Sequence, residues 1–135
     1  MSAQIPREAP IRSVLPIFAA VLLVAATVPA LAQFPPPGIY RCTTGDGVPF
    51  GTLSLFAAGD YQFSVADGPD YKEKAGDPGN GKGQVASAGG AITVQSGPLA
   101  TIYQWKGSFH TDAQRRTSFA FTGVGGAKAT CGPKG

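Results

Sequence analysis

From Gly38 onward, apolar side chains recur at every second position. The stretch GIYRCTT sets Tyr40 and Cys42 against Ile39, Arg41 and Thr43. FGTLSLF sets Leu53 and Leu55 on one face, and DYQFSVA does the same for Tyr61, Phe63 and Val65. AITVQ gives Ile92 and Val94. TIYQWKGSF gives Tyr103, Trp105 and Phe109, with Gln104 and Lys106 opposite. TSFAFTG gives Phe119 and Phe121, and AKATC gives Ala127, Ala129 and Cys131 against Lys128 and Thr130. A period of two means strands with one dry face and one wet face. No window of a dozen residues after Gln33 carries a helical stripe.

The breaks between these runs are short. AAGD before Tyr61, SAGG before Ala91 and SGP before Leu99 read as hairpin connections. Short links make consecutive strands antiparallel. The pattern predicts an all-β domain: an antiparallel up-and-down meander of seven or eight strands. Closing it into a small barrel removes the unpaired edges. Two packed sheets are the alternative arrangement.

The first 32 residues carry a different pattern. Arg7 and Arg12 precede an uncharged run, Val14 to Ala32, that ends in Ala30-Leu31-Ala32. That is the layout of a secretory signal peptide, with a helical apolar segment and cleavage after Ala32. A retained membrane anchor is the competing reading, although Pro16 and Pro29 each remove a helix donor. No cysteine stands at the cleavage point and no arginine pair precedes the run. The expected organisation is a signal peptide over 1–32, a proline-rich arm over 33–37 and a barrel over 38–135. A periplasmic or secreted location follows.

Export changes the reading of charge and cysteine. Without Arg7, Glu8 and Arg12 the formal net charge falls from +3 to +2. A surface that near neutral gives no electrostatic reason to expect nucleic acid. Cys42 and Cys131, the two cysteines, read as a disulfide in an oxidising compartment. In a closed meander they lie on the first and last strands, which become neighbours. So long a loop contributes about 4–5 kcal/mol in the chain-entropy model. Two cysteines and a single histidine argue against a structural zinc site.

GDPGNGKG, Gly76 to Gly83, has the spacing of a phosphate-binding loop. That loop needs a following helix and a hydroxyl after the lysine. Gly83 stands in the hydroxyl's place, and QVASAGG continues as strand and turn. No nucleotide and no other cofactor is expected. The stretch belongs to an insertion between strands, Asp67 to Lys82, which holds seven of the sixteen charged side chains outside the first 32 residues. A solvated loop is the plain reading, and a lid or partner-contacting loop at a barrel mouth is the sharper one. A calcium site from Asp67, Asp70 or Asp77 lacks the usual spacing.

No catalytic constellation stands out. His110 falls at a strand end beside Asp112. No serine sits in a G-x-S-x-G elbow, and no carboxylate pair is framed by apolar residues. The expectation is a non-enzyme. A barrel of this size either fills with side chains or holds one small ligand.

The segments PGIYRC, GTLSLFAAGDYQF, ITVQSGPL, WKGSF and TCGP together resemble small, lipocalin-like exported barrels of bacteria. The resemblance spans nearly the whole chain after residue 32 and implies the fold more than a function. SGPLATIYQWKG is also similar to periplasmic C-type lysozyme inhibitors. That similarity places Ser96 and Lys106 at the family's serine and lysine, with Tyr103 and Trp105 between. Two functions are therefore expected as alternatives. One is a binding protein for a small apolar ligand or an envelope partner. The other is an inhibitor of a hydrolase such as lysozyme or a protease. Tyr103, Trp105, Lys106 and Ser96 are the candidate binding residues. QFPPPG, an extended arm, is either a tether or an insert for a partner's cleft.

Overall fold

The alternation of dry and wet side chains is realised as a closed sheet. The computed structural model describes residues 34–134. The predicted signal peptide and its helix lie outside the described residues. The strands are β1 (Gly38–Thr44), β2 (Pro49–Leu55), β3 (Asp60–Asp67), β4 (Lys72–Glu73), β5 (Gly81–Ala88), β6 (Ala91–Val94), β7 (Lys106–Thr111), β8 (Thr117–Thr122) and β9 (Lys128–Pro133). All pairings are antiparallel. β1 pairs with both β2 and β9, and β2 pairs with β3, so eight strands form a closed up-and-down barrel. β4 is a two-residue addition to the end of β3. The sandwich alternative falls away because every barrel strand has two neighbours.

The seam is covalent. Cys42 and Cys131 lie directly opposite each other on β1 and β9 and are joined by a disulfide 89 residues apart in sequence.

The interior is filled by setting large side chains against small ones across neighbouring strands. Phe63 faces Gly81, Phe121 faces Gly107 and Ala129, and Phe119 faces Cys131. Of the side chains expected to point inward, Tyr40, Leu53, Leu55, Tyr61, Phe63, Ile92, Val94, Trp105, Phe119 and Phe121 are buried, while Tyr103 and Phe109 are half-buried. Each large apolar side chain so buried contributes about 1.5–3 kcal/mol.

Three features depart from the sequence reading. The predicted strand from Thr101 begins only at Lys106. Ahead of it lies a single helical turn, α1 (Pro98–Thr101), which carries the fully buried Leu99. Proline suits the first helical position, and Gly97 takes the left-handed φ of 84° that turns the chain into the helix. A strand would have pointed Leu99 along the wall; the turn drives it into the barrel end.

The insertion over Asp67 to Lys82 is tied to the barrel rather than simply solvated. The Asn80 carboxamide accepts the Val65 N–H at 2.7 Å and donates to the Lys74 carbonyl at 2.9 Å. Tyr71 lies against Arg41 of β1, with the guanidinium 4.9 Å from its ring centre.

The described part of the arm, Phe34–Pro37, also packs on its own barrel. Pro35 is buried, and the Pro36 carbonyl accepts the Tyr40 hydroxyl at 2.7 Å.

Candidate functional site

The two ends of the barrel are furnished differently. The β1–β2 turn, the loop over residues 68–80, α1 and the β8–β9 turn all lie at one end, here the α1 end. The arm, the β2–β3 turn and the β7–β8 turn lie at the other, the arm end. The candidate site is at the α1 end.

The glycines of GDPGNGKG explain how α1 fits there. Gly79, Gly81 and Gly83 alternate into the barrel wall. A methyl group at Gly79 would strike Val65 and the Tyr103 hydroxyl, one at Gly81 would crowd Pro98, and one at Gly83 would strike the Ser96 backbone and the Tyr61 ring. The missing side chains leave space for α1 and its flanks. Tyr61 fixes α1 from below: its hydroxyl donates to the Ser96 carbonyl at 2.7 Å and accepts the Leu99 N–H at 3.1 Å. The residues after Lys82 run on as β5, so no helix follows the loop.

Beyond α1 the chain makes one more bend. The Trp105 backbone N–H donates to the Leu99 carbonyl at 2.8 Å, and Gln104 adopts a left-handed φ of 54°. That bend aims Tyr103 and Trp105 into the mouth. Phe50 meets them from the opposite wall, its ring centre 5.2 Å from Tyr103 and 6.0 Å from Trp105. Period two places Phe50 outside, with Thr52 and Ser54. A bulge in the β1–β2 ladder, where Cys42 pairs with Gly51 but Thr43 with Pro49, leaves Phe50 as the extra residue. Such bulges re-aim a side chain. Gly51 beside it leaves room for the Phe63 ring, which a methyl group there would strike.

Below the mouth the aromatics continue as a spine. Trp105 stacks on Phe121 at 4.7 Å, Phe121 on Phe119 at 5.7 Å, and Tyr40 meets Phe119 edge-on at 4.8 Å. Offset stacks and edge contacts are the favoured aromatic geometries. Above the spine remains a pocket of about 180 Å³ lined by Thr44, Phe50, Tyr103, Trp105, Ala127, Lys128 and Ala129. Burial, reinforced by the Asp77 carboxylate, pushes the Tyr103 phenol above its usual range. Asp77 itself is oriented by the Gly79 N–H at 2.8 Å.

The four candidate binding residues separate. Tyr103 and Trp105 stand together in the pocket, ring centres 5.9 Å apart. Lys106 is exposed on the outer wall of β7, paired with Thr93 and Thr122. Ser96 lies between β6 and α1, where its hydroxyl accepts the Gln84 N–H at 3.0 Å. Neither Lys106 nor Ser96 lines the pocket. Phe50 and Lys128 do, and period-two reading gave no reason to choose them.

A depression of about 250 Å³ lies at the arm end between Pro36, Ile39, Arg116 and Lys134, and two of about 470 and 440 Å³ lie on the outer wall, one along β3 and β5 and one along β6 and β7. The two on the outer wall are bordered by exposed Gln62, Lys82, Gln84 and Lys106, which water already solvates.

Asp112, at the arm end, is occupied structurally. It accepts the N–H groups of Gln114 and Arg116, each at 2.9 Å, and pairs with the Arg116 guanidinium at 3.2 Å. The Arg116 N–H, first of all, holds its carboxyl below the usual range. His110 is exposed on β7, opposite Ser118. Among the described residues, no three of His, Cys, Asp and Glu gather as a metal site would require.

Comparison with protein-family models, curated proteins and solved structures returned no match.

Proposed function

We propose that this chain is an exported, non-enzymatic binding protein that takes one small apolar group into the Phe50–Tyr103–Trp105 pocket. The observation that carries this reading is the contrast between a filled barrel and one aromatic space of about 180 Å³ left at its mouth. An apolar cavity of roughly 150 Å³ is enough to hold benzene. Three aromatic walls provide the apolar contact that small-molecule sites rely on. The uncharged N-terminal run supports export, and a disulfide is at home in an oxidising compartment.

The chain contains one tryptophan, and it lines the pocket. Its fluorescence therefore reports directly on occupancy. Titration with benzyl alcohol is expected to give a saturable change in Trp105 emission that Phe50→Ala weakens. A linear, non-saturating response in the wild-type chain would sink the reading. Lysozyme inhibition by the purified protein, lost in Lys106→Ala, would favour the hydrolase-inhibitor expectation instead.

A further inference from the structure

Charge on this barrel is segregated by wall. Of the nine lysines and arginines after residue 32, five lie on β7, β8, β9 and the chain at their ends: Lys106, Arg115, Arg116, Lys128 and Lys134. Of the seven carboxylates, the same wall carries Asp112, which is paired with Arg116. Five others, Asp60, Asp67, Asp70, Glu73 and Asp77, crowd β3 and the loop after it. The near-neutral total conceals this division.

Strand register shows how the cations are laid out. Lys106, Thr122 and Lys128 form one outward row across β7, β8 and β9. Ser108, Ala120 and Thr130 form the next, and His110 and Ser118 the one after. All eight are exposed. Lys106 and Lys128 stand two strand spacings apart, about 10 Å. At the arm end, Arg115, Arg116 and Lys134 border the depression of about 250 Å³. Arg116, just before β8, is six residues from Thr122, about 20 Å along the strand. Two cationic ends thus flank a middle of small and hydroxyl side chains. Among the described residues, Lys106, Arg115, Lys128 and Lys134 have no ion-pair partner. Arg115 also holds a left-handed φ of 64°, a conformation that favours glycine.

Beyond the pocket, we infer that the β7–β8–β9 wall binds an extended acidic polysaccharide, laid along the strands with its carboxylates on the two cationic ends. Charge complementarity selects a polyanion, and the distance between the ends selects an extended chain over a single small anion. The side chains between the ends select sugar. The exposed hydroxyls of Ser108, Ser118, Thr122 and Thr130 suit the hydroxyl groups of a sugar chain. Phe119 and Phe121 are buried and Phe109 is half-buried against the core. The wall therefore presents no ring for the base stacking that holds single-stranded nucleic acid. None of the exposed large apolar side chains lies on these three strands, so the wall offers no apolar face to a lipid surface.

The test is calorimetric titration of the purified protein with polygalacturonate at neutral pH and low salt, beside neutral dextran, oligothymidylate and phosphatidylglycerol vesicles. Polygalacturonate is expected to bind most tightly, and dextran and monomeric galacturonate not measurably. Lys106→Gln with Lys128→Gln removes one cationic end, and Arg115→Gly with Lys134→Gln depletes the other. Each pair should weaken polygalacturonate by about fivefold per cation lost, the scale of an exposed ion pair. Lys82→Gln, on the outer face of β5, should alter nothing. Added salt should weaken the binding. All five positions are exposed, and unchanged thermal midpoints verify that the barrel is intact. Benzyl alcohol titration of Trp105 should be unaffected by either pair, so this surface and the aromatic pocket stand or fall separately. If either pair leaves polygalacturonate binding unchanged, the extended site is overturned. If polygalacturonate does not bind, or if oligothymidylate or the vesicles bind as tightly, the polysaccharide assignment is overturned.

Discussion

The α1 end and the arm end of the barrel solve the same problem in different ways. Each must stop water from entering a closed sheet. At the arm end the stopper is polar and proline-rich. Tyr40 donates to the Pro36 carbonyl, Thr111 and Thr117 share a hydroxyl bond at 2.9 Å, and Pro35 is buried. At the α1 end the stopper is apolar and off-centre. Leu99 closes the β5 side, while Phe50, Tyr103 and Trp105 line an open space on the β1–β9 side. Hydrogen-bonded closure leaves a fixed, solvated rim. Closure by aromatic side chains leaves an uneven surface that another ring can complete. The asymmetry lies in the lining: the α1 end holds an aromatic space, and the arm end a more polar depression of about 250 Å³ bordered by Pro36, Ile39, Arg115 and Arg116.

The largest effect is expected where the spine meets the mouth. Trp105→Ala removes the ring that joins Phe50 and Tyr103 to Phe121, and truncation of a buried aromatic costs about 3–5 kcal/mol. Chemical denaturation measures it. A neutral result would mean that the α1 end is a surface and not part of the core.

Next in size is the seam that both ends share. Replacing Cys42 and Cys131 together by alanine should cost about 2–4 kcal/mol. Because the bridge lies between the ends, hydrogen exchange should quicken at both. Loosening confined to one end would show that the two closures are energetically separate.

Asn80→Ala comes third. It strips a partner from the Val65 N–H and should cost about 1–3 kcal/mol, the scale of a lost partner for a buried donor. Proteolysis of the 68–80 loop should accelerate, with no change in the Tyr40 environment. Equal loosening at the arm end would break the contrast between the two closures.

The smallest effect belongs to the arm end. Tyr40→Phe removes the bond to Pro36 and should cost about 0.5–1.5 kcal/mol, leaving Trp105 emission and benzyl alcohol binding unchanged. The phenols sharpen the comparison with pH. Burial raises Tyr40, Tyr61 and Tyr103, so the folded state favours their neutral forms. Their contribution is fully present below the ordinary phenol value and is lost as pH rises through the folded values. Absorbance titration should show these tyrosines ionising late, at both ends alike, followed by unfolding in alkali. Early ionisation of Tyr103 alone would mean that the pocket is wetter than its lining indicates.

The strands, their order and their inward faces were legible in the chain because a sheet reads its own period. Tyr40, Leu53, Phe63, Ile92, Phe119 and Phe121 each follow from position parity and chemistry, and the cysteines named the closing pair. Parity is a local property, so it holds wherever the ladder is regular. Phe50 and Leu99 reach the interior only where the ladder is broken, by a bulge at Phe50 itself and by a helical turn after Gly97. The bulge has no local signature, and Gly97-Pro98 marks a break without telling a helical turn from a hairpin, because each is stabilised by residues distant in sequence. Val65 and Tyr103 occupy the space that Gly79 leaves, and Tyr61 holds α1 from across the barrel. Lys128 keeps the wet-face parity of its β8 partner Thr122, while closure sets its neighbour Ala129 opposite Thr44. The sequence by itself determined most strands and their faces, because these depend on neighbours one and two residues away, and its two cysteines named the seam. Tertiary structure alone decided that Phe50 meets Tyr103 and Trp105 at one mouth, because only closure of the sheet brings together segments more than fifty residues apart.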